Sequence, residues 1–108
     1  MITLAQSDVL RALKRCLCLA KQDLVFCDYL DNSMDWRSYA LARYEIYNWL
    51  QKKIIECGVN QTYLLATKRY AGLPLFVSGS EQKGEQEALE VFFQFIAGDR
   101  PMHAKINA

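Results

Sequence analysis

With 108 residues, 52% of them hydrophobic and 23% charged, the chain has the composition of one folded domain and not of a disordered segment. Its formal charge of +1 excludes a strong general attraction to nucleic acid or to anionic membranes, so any basic site has to be local. No apolar run approaches the ~20 residues of a membrane span, and no basic region followed by an apolar core opens the chain, which points to a cytoplasmic protein without membrane association.

The first helix is expected from Ser7 to about Leu30. Val9, Leu13, Cys16, Ala20, Asp23, Cys27 and Leu30 alternate four and three residues apart, the spacing of one helical face, and Ser7-Asp8 supplies a cap. Opposite that stripe Arg11, Lys14, Arg15 and Lys21 make the outer face basic, as a solvated face usually is. A short polar connection, Asp31 to Met34, makes the next helix an antiparallel neighbour.

The second helix, from Asp35 to Cys57, carries both tryptophans. Trp36, Tyr39, Arg43, Ile46, Leu50, Lys53 and Cys57 repeat the same spacing, and Gly58 is the stop signal. Tyr47 and Ile54 widen the apolar surface beyond the ~100° that suits a single neighbour. Trp49 stands about 220° from Trp36 on the helical wheel, where another helix or a partner must cover it. If the hairpin is centred on Ser33, residues whose numbers sum to 66 share a level. Small residues then face large ones: Leu30 meets Trp36, Cys27 meets Tyr39, Ala20 meets Ile46, Cys16 meets Leu50 and Val9 meets Cys57. Leu13 opposite Lys53 is the poor rung, which the adjacent Ile54 can rescue. The single fully polar rung is Asp23 opposite Arg43, a structural pair that would set register.

A shorter third helix is expected from Asn60 to Ala71, closed by Gly72. Residues 63–77 also read as two strands, with Pro74 confining the second to an edge. After an extended linker, the last helix runs from Ser80 or Glu81 to Ala97. Its first half is acidic (Glu81, Glu85, Glu87, Glu90) and its second half carries Leu89, Val91, Phe92, Phe93, Phe95 and Ile96. The tail from about 99 to 108 has no periodicity. The expected fold is therefore all-α: a small four-helix domain over residues 1–108, built on a long antiparallel helical hairpin, with an irregular C-terminal tail. The alternative is an α+β fold with a short hairpin near 63–77.

Chemistry is sparsely signalled. Cys16 and Cys18 point about 200° apart on a helix and cannot share one ion, and His103, the only histidine, sits in the tail, so no metal, cofactor or nucleophile–histidine pair is expected. Cys18 has Lys14, Arg15 and Lys21 within a turn, which favours a thiolate, yet an ordinary surface cysteine accounts for it. The stretch from Ile54 to Leu64 resembles the centre of a helix-turn-helix, with a glycine and a small hydrophobe between helices and polar residues opening the second. That resemblance, over about residues 50–69, implies a DNA-binding regulator contacting nucleic acid through Gln61, Thr62, Lys68 and Arg69. Bulky Ile54 and polar Thr67 depart from the pattern.

A surplus of large apolar residues away from the main stripes, Trp49, Phe93, Tyr29 and Tyr44 among them, supports another class. This is a non-enzymatic protein-interaction or regulatory module, such as an inhibitor, an immunity protein or an adaptor. Its expected interface is Trp49, Lys53 and Phe93, and its partner a protein or a second copy of the chain in a homodimer.

Overall fold

Among residues 5–27, 34–74 and 79–97, which the computed structural model describes, the chain forms three helices and no strand. They are α1 (Gln6–Cys27), α2 (Met34–Ala71) and α3 (Ser80–Ala97). The all-helical class expected from the sequence is present, and the alternative with strands over 63–77 is incorrect, since Tyr63 to Ala71 are helical. Buried Val59, Thr62 and Ala66 recur at three and four residues, so the segment has a helical face to bury and no two-sided alternation. The tail, His103, Tyr29 and the rungs at Leu30 and Cys27 lie outside the described residues or side chains.

The count of four helices is not reproduced, because the second and third expected helices join without a loop. Within α2 only Gly58 leaves the helical conformation, with φ 87° and ψ 169°. A straight helix of 38 residues would be about 57 Å long, longer than the whole molecule, whose largest extent is 45 Å. The break is sharp. Trp49, nine residues before Gly58, and Arg69, eleven after it, meet with the guanidinium 4.8 Å from the indole ring. At a right angle their axial positions would be about 21 Å apart, beyond what the two side chains can span. The second arm, 59–71, is therefore folded back along the first, 34–57.

The backbone at Gly58 lies in a region that essentially only glycine occupies. A Cβ placed there meets nothing within 4 Å, so the cost of a side chain is purely conformational. Gly58→Ala is expected to lose about 2 kcal/mol in a chemical denaturation measurement. Gly79→Ala, equally open, serves as the control. Equal stability of the two variants would show that the chain reverses without help from glycine.

The hairpin register follows the expected levels. Arg43 Nη1 donates to Asp23 Oδ2 at 2.8 Å, and Ala20, Ile46, Leu50 and Leu13 are all buried. One rung fails: Val9 is buried but Cys57 is exposed, its thiol donating to Lys53 O. A stripe spaced at 3.5 residues drifts by ~20° per heptad round a straight helix, so three heptads past Trp36 it has left the seam. Ile54, five full turns after Trp36, takes the place and is fully buried.

α2 lies in the middle, with α1 on one side and α3 on another, while α1 and α3 touch sparingly. Glu85 meets Arg69 and Phe93 meets Tyr63, so α3 runs antiparallel to the second arm of α2. Its approach to the first arm is closest at buried Gly84, which sits on the Tyr39 carbonyl and Ala42. Ala88, one turn on, is also buried. The core comprises Leu13, Ile46, Tyr47, Leu50, Ile54, Leu89 and Phe92, with smaller residues between them.

Candidate interaction surface

A polar cluster crosses the middle of the apolar seam. Arg43, the more buried partner, pairs with Asp23 from α1, side-chain exposures being 13% and 36%. The same guanidinium is hydrogen-bonded to Tyr47 and lies 5.4 Å from the Tyr39 ring. Tyr39 in turn donates its hydroxyl to Glu87 of α3. Three helices are thus linked through one cation.

Burial and the carboxylate of Glu87 push the Tyr39 phenol up to about 12. Burial also raises Tyr47 and, with Glu90 beside it, Tyr70. A folded-state pKa above the unfolded value of 10.0 means that the neutral phenol is favoured by folding. The contribution is full below pH 10 and is lost as pH climbs through about 12. Stability should therefore fall across that window, and Tyr39→Phe should flatten the fall. Denaturation profiles at rising pH that are parallel for the variant and the wild type would contradict this assignment.

The residues expected to form a partner interface are not gathered on the surface. Phe93 is only 7% exposed and packs edge-on against Tyr63 and Tyr70. Trp49 is half-buried against the core, with Arg69 over its ring. Lys53 is half-buried and pairs with Glu56 at 3.3 Å. All three expectations treated each helix alone. Folding α2 back at Gly58 brings its second arm and α3 over this side, so Phe93 becomes interior while Trp49 and Lys53 are left half-buried.

The corner at Gly58 also departs from the helix-turn-helix expectation. Gln61 and Lys68 are exposed, but Thr62 is fully buried and donates its hydroxyl to Gly58 O at 2.8 Å. Arg69 bonds Glu85 at 2.7 Å besides covering Trp49. In the opening turn Val59 and Thr62 face inward while Asn60 and Gln61 are exposed, so Thr62 is not available to a base edge as the resemblance requires. Thr62→Val should cost about 1 kcal/mol by removing the bond that closes the break. Thermal melting of that variant would measure it.

Large apolar side chains remain exposed elsewhere, and the sequence reading passed over them. On α1 these are Leu19 (52%), Val25 (53%) and Phe26 (59%). They lie outside the stripe that faces α2, on the same outward side as Cys18 and Gln22. The basic outer face expected for α1 is present: Arg11, Lys14 and Arg15 in its first half and Lys21 in its second are exposed. The signal was present in the apolar residues off the stripe, which make α1 apolar on more than one side towards its C-terminal end. Concave spaces of about 470 and 500 Å³ border this face. Both are open to solvent, share Cys18 and are lined, among the described residues, by α1 alone.

Among the described residues no three His, Cys, Asp or Glu side chains gather as metal ligands. Cys16, Cys18 and Cys57 are free thiols, and burial raises the Cys16 thiol above its ordinary value. No helix of the described residues is long and apolar enough to cross a membrane. Comparison with known proteins finds no matching family model, no matching curated protein and no matching solved structure.

Proposed function

We propose that this chain is a non-catalytic, regulatory or adaptor-type module that binds a protein partner through the outward face of α1. The observation that supports it is the exposure of Leu19, Val25 and Phe26 on the side of α1 turned away from α2. Isolated exposed apolar residues are ordinary, but three on the outward side of one helix are what a docking surface requires. Of the four residues of the duplex-binding alternative Gln61, Lys68 and Arg69 are exposed, but Thr62 is buried and Arg69 is paired with Glu85.

A photo-crosslinking residue placed at Gln22, in the centre of the face, tests the proposal in the host cell. A discrete protein adduct is expected from Gln22 and none from the exposed Gln94 of α3. Phe26→Asp should abolish the adduct while leaving the circular dichroism spectrum unchanged. Adducts of equal yield from both positions would remove the proposal.

A further inference from the structure

We infer that the partner presents an acidic amphipathic helix of about five turns, with carboxylates along one half and apolar anchors along the other. This deepens the reading above and rests on it. Along the α1 face Arg11, Lys14 and Arg15 precede Leu19, Val25 and Phe26, with Lys21 standing among the apolar side chains, and all seven are exposed. From Asp8 to Phe26 the face is about 27 Å long, the length of an 18-residue helix. Asp8 is the one exposed carboxylate on it, because Asp23 turns to Arg43. The chain as a whole carries only +1, so four cations against one carboxylate make this face a local basic field.

Other occupants fit less well. A second copy of α1 would set cations against cations if parallel, and cations against apolar side chains if antiparallel. The chain beyond Ala97 carries Arg100 and Lys105 against Asp99, which is the wrong sign. A bilayer favours a helix whose cations flank an apolar band. Here three of the four cations precede the apolar side chains along the helix. The carboxylates of the partner would speed encounter and fix its direction, while Phe26 and Leu19 would hold it.

Synthetic helical peptides of one apolar pattern, carrying Glu, Gln or Lys at the charged half, provide the probes. Titrated into isotope-labelled full-length protein, the Glu peptide should shift amide resonances over residues 8–26. Its affinity should fall about tenfold or more as salt is raised beyond the screening length of the cations. Arg11→Glu with Arg15→Glu should lose the Glu peptide and gain the Lys peptide, an exchange that an unfolded variant cannot produce. If the Gln or Lys peptide binds wild type as tightly, the acidic partner is wrong while the α1 face survives as a binding surface. If none of the three shifts α1 and crosslinking at Gln22 is also negative, both readings fall. Co-sedimentation with phosphatidylglycerol vesicles, lost in the same double variant and without peptide binding, would overturn the peptide in favour of a membrane. Concentration-dependent self-association through α1 would overturn it in favour of a second copy.

Discussion

Gly84→Ala should lower stability by about 2 kcal/mol, and the melting temperature by roughly 10 °C, although alanine is the better helix former by nearly 1 kcal/mol. A Cβ at Gly84 would overlap the carbonyl oxygen of Tyr39 and stand 3.0 Å from Ala42 Cβ. The obstacle is backbone, which cannot swing aside as a long side chain would, so α3 must move away from α2. That movement would loosen Ala88 and Phe92 against the core and pull Glu87 from Tyr39. Gly84→Leu should prevent folding altogether. Gly72→Ala provides the comparison: its Cβ would come no closer than 3.4 Å to Arg69 O, so a small effect is expected. If Gly84→Ala proves neutral or stabilising, helix propensity dominates and α3 is not seated through this glycine.

Arg43→Ala should cost about 2–3 kcal/mol, from a charged hydrogen bond, a ring contact and the packing of the aliphatic stem together. Asp23 is more than a third exposed, so water can recover its carboxylate, which keeps the loss below that of a fully buried pair. The reverse truncation has a different character. Asp23→Ala leaves the more buried cation without its carboxylate, and Arg43 Nε is already buried with no hydrogen-bond partner among the described residues. Replacing both by apolar residues, Asp23→Leu with Arg43→Met, should cost much less than the two single losses summed. Urea titrations of the four proteins give the coupling; a value near zero would mean that the pair contributes nothing to holding α1 in register.

These two sites show where the sequence was sufficient. The level shared by Asp23 and Arg43 followed from two stripes and a short connection, because an antiparallel hairpin with a known centre has one register. The ends of the last helix at Ser80 and Ala97 followed from capping and breaking residues, which act within a turn of themselves. The break at Gly58 was legible for the same local reason. Gly84 was only half legible: a glycine inside a helix four residues before Ala88 is the pattern of a close crossing, but nothing local names what approaches it.

What the tertiary structure alone decided is which apolar side chains stay outside. Helical periodicity sorts residues by the face they occupy on their own helix, and it placed Trp49 and Phe93 on faces that seemed spare. Coverage depends instead on the angle through which the chain turns at Gly58, a single pair of dihedrals with no periodic trace in the sequence. The second arm folds back far enough to set Arg69 on Trp49 and Tyr70 on Phe93, which leaves Trp49 half-buried and Phe93 buried. α1 packs against α2 on one side only, so the apolar residues of its outward side remain on the surface.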